Sequence, residues 1–125
     1  MSKKILIIDD DVDLVEVLRL TLEKNGYTVI DAQNGSRGYQ LLEREQPDLV
    51  ILDVMMATWD EGFEVVQKIR VNPTIADTPI IMLTAVSQQM GIKYAKDDET
   101  LPVNEFIEKP VMPGTLLTII KKYVN

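Results

Sequence analysis

Four short strand-like runs in this chain, three of them apolar, end in groups that could do chemistry. Ile5-Leu-Ile-Ile8 runs into Asp9-Asp10-Asp11, Leu49-Val-Ile-Leu52 into Asp53, Thr78-Pro-Ile-Ile-Met-Leu83 into Thr84, and Glu105-Phe-Ile-Glu108 into Lys109-Pro110. Carboxylates brought together repel one another unless a cation neutralises them. Oxygen-only donors select a hard ion such as Mg²⁺, which takes one or two carboxylates, keeps several waters and accepts a phosphate oxygen. A lysine beside them supplies a point charge for another phosphate oxygen, and a threonine hydroxyl can donate to a third. In that company Asp53 could itself take a phosphoryl group, since carboxylates form acyl phosphates when cations stabilise the transferring oxygens. Each residue also has a plainer reading alone: Asp11 as a helix N-cap, Thr84 as a strand-end hydroxyl, Lys109 as a surface lysine, Phe106 as a packed aromatic. Their joint occurrence at successive strand ends is what chance does not supply.

The elements that must position these groups follow from hydrophobic spacing. Leu14, Val15, Leu18 and Leu22 recur at helical intervals after the first strand, and Asn25-Gly26 offers a left-handed stop. Tyr27-Thr-Val-Ile30 reads as a second strand, and Asn34-Gly35-Ser36 opens a helix carrying Tyr39, Leu41 and Leu42. Phe63, Val65, Val66 and Ile69 make a third amphipathic helix that Asn72-Pro73 breaks. Residues Ser87–Ala95 have weak helical spacing, and Lys96–Pro102 reads as a polar loop. From about Pro113 to Val124, Leu116, Leu117, Ile120 and Val124 form one stripe, with two lysines in the last turns as a helix dipole favours. Strands alternating with helices at this spacing imply parallel strands joined by right-handed crossovers, with helices on both faces. All C-terminal strand ends then lie along one edge, where such sheets bind ligands.

Composition narrows the classes. With 125 residues, 46% of them hydrophobic, the chain suits a single domain, residues 1–125, that buries about two-thirds of its unfolded surface. It contains no cysteine and no histidine, so thiolate metal sites are excluded and any imidazole must come from a partner. The net charge of -7 leaves no basic patch for direct nucleic-acid binding. The apolar run after Met-Ser-Lys-Lys is too short for a signal peptide or a membrane span. The expectation is a soluble, cytoplasmic protein.

The ordered set Ile5-Leu-Ile-Ile-Asp-Asp10, Leu52-Asp-Val-Met-Met56 with Gly62-Phe63, Pro79-Ile-Ile-Met-Leu-Thr-Ala85 and Phe106-Ile-Glu-Lys-Pro110 resembles the receiver domain of two-component response regulators, over nearly the whole chain. The resemblance implies an α/β, flavodoxin-like (βα)5 three-layer sandwich with a five-stranded parallel sheet of order 2-1-3-4-5. It implies that Asp53 accepts a phosphoryl group from a sensor histidine kinase or phosphotransfer protein. Asp10 and Asp53 would ligate Mg²⁺ through side chains and Met55 through its carbonyl, with Asp9 positioning a metal-bound water. Lys109 would pair with the phosphoryl group and Thr84 would bond to it. Thr84 and Phe106 would then act as the switch pair, reshaping the face made by the family's fourth helix, fifth strand and fifth helix. Such a chain is a switch rather than a turnover enzyme, controlling a downstream protein target or an output domain, with a phosphorylation-linked homodimer as a further expectation. The family resemblance also suggests a cis Lys109-Pro110 bond.

Several features depart from the family pattern. Ala57 stands where the family usually has Pro, Thr58–Gly62 is one residue longer than the common loop, and Asp97–Val103 carries an apparent insertion. In receiver domains the side chains two positions beyond the acceptor Asp and the Thr help admit or orient the hydrolytic water; here they are Met55 and Val86, both apolar, so the resemblance implies slow self-dephosphorylation. Trp59, six positions after Asp53, is expected near enough to report on the site. Three other classes compete with this one. A flavodoxin-like cofactor binder would need a hydroxyl- or glycine-rich phosphate loop, and Asp9-Asp10-Asp11 would repel a flavin phosphate. An aspartyl-nucleophile phosphatase would resemble Asp-x-Asp, whereas Met55 stands two residues after Asp53. The remaining alternative is a degenerate receiver acting as a phosphorylation-independent interaction module.

Overall fold

The computed structural model describes residues 3–53, 59–84 and 103–124, with backbone alone at 59–61. Five strands, β1 (Lys4–Ile8), β2 (Thr28–Ala32), β3 (Leu49–Asp53), β4 (Ile80–Thr84) and β5 (Glu105–Glu108), form one sheet of order β2-β1-β3-β4-β5. Every neighbouring pair is parallel. Helices α1 (Val12–Lys24), α2 (Gly35–Glu45) and α3 (Trp59–Val71) occupy the first three crossovers, and a C-terminal helix (Pro113–Tyr123) follows β5. This is the expected doubly wound α/β sandwich, with ligand-bearing strand ends along one edge. The weak helix of Ser87–Ala95 and the loop Lys96–Pro102 lie outside the described residues.

Pleating sorts the apolar strands onto two layers. Ile5, Ile7, Leu49, Ile51, Ile81 and Leu83 join Val15, Leu18 and Leu22 of α1 and Leu116 and Ile120 of the C-terminal helix. Leu6, Ile8, Val50, Leu52, Ile80 and Met82 join Leu41 and Leu42 of α2 and Val65, Val66 and Ile69 of α3. Strands buried on both faces must read as unbroken apolar runs, which is why β1, β3 and β4 were visible in sequence. Asp11 caps α1 by accepting from the Leu14 N–H at 3.2 Å, and Asn34 caps α2 by accepting from the Arg37 N–H at 2.8 Å. These bonds satisfy donors that a helix start otherwise leaves unpaired.

One strand differs from expectation. β2 does not stop at Ile30 but continues through Asp31 and Ala32, which pair opposite Ile7 and Ile8. A charged residue inside a strand is tolerated here because the Arg19 guanidinium of α1 pairs with the Asp31 carboxylate and also donates to the Val29 carbonyl at 3.0 Å. The extension matters, since the Asp9 N–H donates to the Ala32 carbonyl at 3.0 Å. On the same side, α2 lies close to β1: a Cβ added at Gly38 would stand 2.4 Å from Cδ1 of the wholly buried Ile8. Only a residue without a side chain admits that approach.

Gln46 ends α2 with φ 46° and ψ 62°, in the left-handed region and directly before Pro47. A non-glycine residue there costs about 1 kcal/mol. Gln46→Gly is therefore expected to raise the unfolding free energy by about 0.5–1 kcal/mol, read as a higher urea midpoint at unchanged slope. A lower midpoint would show that the Gln46 side chain contributes more than its backbone costs.

Candidate functional site

Parallel topology brings the ends of β1, β3, β4 and β5 to one edge, and five of the residues singled out in the sequence meet there. Asp53 closes β3 and is 3% exposed; Asp9 follows β1 and is 1% exposed. Carboxylate oxygens of Asp9, Asp10 and Asp53 all lie within 4.8 Å of one another, with Asp10 open to solvent. Lys109, immediately after β5, extends Nζ to 2.9 Å from Asp53 Oδ2 and to 4.0 Å from Asp9 Oδ2. Thr84 ends β4, also 3% exposed, and its carbonyl accepts the Lys109 N–H at 2.6 Å. That bond fixes the backbone from which the lysine reaches across.

Local chemistry orients the acids. Asp9 Oδ1 accepts the Asp11 N–H at 2.9 Å, a side-chain-to-backbone turn typical of aspartate. Its other oxygen, Oδ2, is buried and has no hydrogen-bond partner among the described residues. A buried carboxylate oxygen without a donor is costly, and it is aimed at the space shared with Asp53 and Lys109. Burial is the main cause that raises the Asp9 pKa from 3.8 to about 7; the Asp11 N–H opposes this, and the neighbouring Asp53 carboxylate adds to it. Burial would lower the Lys109 pKa, but the hydrogen bond and charge of Asp53, aided by Asp9 and Asp11, outweigh it and hold the ammonium above its usual value. Among the described residues the edge is thus short of positive charge: three carboxylates face one ammonium. Oxygen donors alone, one of them orphaned and buried, fit a hard divalent ion such as Mg²⁺.

Phe106 lies apart from this cluster. It sits on β5 opposite Met82, half-buried, packed against the layer that holds α2 and α3. Lys109-Pro110 is cis. Met55, Ala57, Val86 and the Asp97–Pro102 segment fall outside the described residues, as do the side chain of Trp59 and the family's fourth helix. Sequence reasoning missed two contributors, the Asp11 N–H that turns Asp9 and the Ala32 carbonyl that holds its backbone. The first had a signal in the three consecutive aspartates; the second depends on β2 running beyond Ile30 and had none.

Comparison with known proteins agrees with this geometry. A family model described as "Response regulator receiver domain" matches residues 5–121. The chain is 37% identical over 125 residues to the alkaline phosphatase synthesis transcriptional regulatory protein PhoP of Bacillus subtilis (strain 168), covering 97% of this chain and 48% of that protein. It therefore spans about half the length of that relative. It is 36% identical to an uncharacterized 14.6 kDa protein in the sodA1 3' region of Leptolyngbya boryana, covering 95% of this chain and 88% of that one. Among solved structures, the chemotaxis response regulator CheY4 of Vibrio cholerae superposes with a TM-score of 0.86 at 27% identity, covering 99% and 100% of the two chains.

Proposed function

The chain belongs to the response regulator receiver domain family, and from that premise we propose that it is a phosphorylation-activated switch whose acceptor is Asp53. The observation that carries this reading is the convergence of three carboxylates within 4.8 Å on an edge where a lysine ammonium lies 2.9 Å from one of them. Asp9, Asp10 and Asp53, with the carbonyl of Met55, are the residues that would hold Mg²⁺. When bound, the ion neutralises charge on the phosphoryl oxygens and holds them in place.

The chain's own residues do the rest. An Asp53 oxygen attacks phosphorus as the N–P bond to a donor phosphohistidine breaks, and the electron pair of that bond returns to the imidazole. Lys109, held protonated by its acidic neighbours, balances charge on a transferring oxygen. In leaving Asp53 for the phosphoryl group it gives up its present partner, and Thr84 donates its hydroxyl to another oxygen. The donor is a sensor histidine kinase or phosphotransfer protein. The phosphorylated form favours an arrangement already accessible to the fold, in which contacts to the new charge draw on Thr84 and Phe106. Phe106 has no hydroxyl, so its part is packing alone. A groove of about 300 Å³ between β5 and the C-terminal helix, lined by Phe106, Met112, Thr115 and Ile119 among others, is the surface through which this change reaches a downstream protein or output domain.

Incubation with acetyl phosphate and Mg²⁺, followed by intact mass, tests the reading. One added phosphoryl group is expected, dependent on Mg²⁺, mapped to Asp53 and labile to hydroxylamine as an acyl phosphate is. Mg²⁺ binding without phosphorylation would overturn it in favour of a phosphorylation-independent interaction module.

A further inference from the structure

At the foot of the sheet, far along β5 from Lys109, four segments meet on Asn104. Its backbone N–H donates to the Ile80 carbonyl at 2.9 Å. Its side-chain Oδ1 accepts the Ile80 N–H at 2.8 Å and Arg70 Nη2 at 3.0 Å. Arg70, near the end of α3, also donates through Nη1 to the carbonyls of Ala76 and Thr78, both at 2.8 Å. Tyr123 of the C-terminal helix donates to the Asn104 carbonyl at 3.4 Å and to Glu105 Oε2 at 2.5 Å. One asparagine thus joins α3, the start of β4, the start of β5 and the last helix.

We propose that Asn104 and Arg70 form a clamp that sets the register of β5 against β4, and that through this register they are positioning residues for Lys109. The inference rests on the phosphoacceptor reading of the opposite edge. β5 has four residues and, among the described strands, pairs with β4 alone. A tight hairpin would fix its register by turn geometry, but a crossover from Thr84 to Glu105 does not. Side-chain alternation excludes only half of the alternatives. Phe106 and Ile107 face opposite layers, so a slip of one residue turns each into the layer built for the other. A slip of two residues preserves every facing and displaces Lys109 by about 6.6 Å along the strand. Such a slip would put Glu105 or Lys109 where Ile107 is now buried, so one apolar side chain opposes it, and Asn104 adds a polar tie that only the present register satisfies. Its amide mimics a backbone group and ties this residue, and no neighbour, to Ile80 and Arg70.

The clamp acts on one strand of the site only. Asp9 and Asp10 follow β1 and Asp53 ends β3, so these three carboxylates are placed without β5. Asn104→Ala is therefore expected to leave Mg²⁺ affinity by calorimetry within about twofold while slowing phosphorylation by acetyl phosphate about tenfold or more, the cost of a misplaced charge. Asn104→Asp keeps the acceptor oxygen and should restore the rate. Arg70→Met should reproduce the defect, and the double variant should be no slower than the slower single one, as for two halves of one device. A residue that merely supports folding would lower Mg²⁺ binding and rate together.

Backbone nuclear Overhauser contacts between Met82 and Phe106, partners in the register, report the clamp without any phosphorylation. Their loss in Asn104→Ala and return in Asn104→Asp sustain the proposal. An unchanged Met82–Phe106 pairing, or an Asn104→Ala phosphorylation rate within about twofold of wild type, overturns it. If the wild-type domain takes up no phosphoryl group, the phosphoacceptor reading falls, and the strand contacts alone decide the clamp.

Discussion

If Asp53 is the phosphoacceptor, Lys109→Met is expected to slow phosphoryl transfer to it by about 10²–10³-fold, the cost of losing one preorganised charge aimed at a transferring oxygen. The same change leaves Mg²⁺ binding intact or tighter, because an ammonium 2.9 Å from Asp53 Oδ2 competes with a cation for that carboxylate. The two effects run in opposite directions, which separates a chemical role from a structural one. Without Mg²⁺ the variant is also less stable at pH 8, by about 2 kcal/mol, since Asp9 and Asp53 then face each other in a buried site with no counter-charge. Added Mg²⁺ returns that loss. Rates from acetyl phosphate, calorimetric Mg²⁺ titration and urea unfolding with and without the ion make the test. A rate within about threefold of wild type would remove Lys109 from the machinery.

The second large effect is a stability that depends jointly on pH and Mg²⁺. The folded-state pKa of Asp9 is raised from 3.8 to about 7, so the native state holds this proton over a range where the unfolded chain has released it. The stabilisation this gives is full below about pH 4 and is lost as pH rises through about 7. In chelator, the melting temperature should therefore fall between pH 5.5 and pH 8. A divalent ion favours the ionised carboxylates, so Mg²⁺ should do little at pH 5.5 and most at pH 8. At about a hundred times its dissociation constant it adds about 2.7 kcal/mol there, or roughly 5–10 °C for a domain of this size. Asp9→Asn should flatten the pH dependence in chelator. An unchanged slope in that variant would assign the effect to other groups.

Much of this was legible in the chain because the relevant physics is local. Strands buried on both faces need unbroken apolar runs, and β1, β3 and β4 announce themselves; Asp9, Asp10, Asp53, Thr84 and Lys109 stand where those runs or the next one stop. The parallel arrangement follows from the alternation of helix and strand, whereas the strand order is what the family resemblance implies. What was illegible depends on partners distant in sequence. Asp31 looks like the end of a strand until Arg19 of α1 is set beside it. Asn104 looks like a loop residue, and only folding reveals its junction with Arg70 and Ile80. The orphaned oxygen of Asp9 is likewise invisible, since it takes the Asp11 turn and burial beneath the edge to create it.

The ion pair between Lys109 and Asp53 closes a span of 56 residues, and this bears on when a newly made chain becomes responsive. Synthesis runs from the N-terminus, so Asp53 leaves the ribosome with β1 and β3 long before Lys109 exists. A half-made chain carries the acceptor and the acids but lacks the counter-charge that phosphoryl transfer calls on. On the phosphoacceptor reading, competence to receive a signal arrives only when β5 has joined the sheet. Phosphate uptake during translation would then serve as a clock for completion of the fold, and unfinished chains would stay silent in the presence of an active donor.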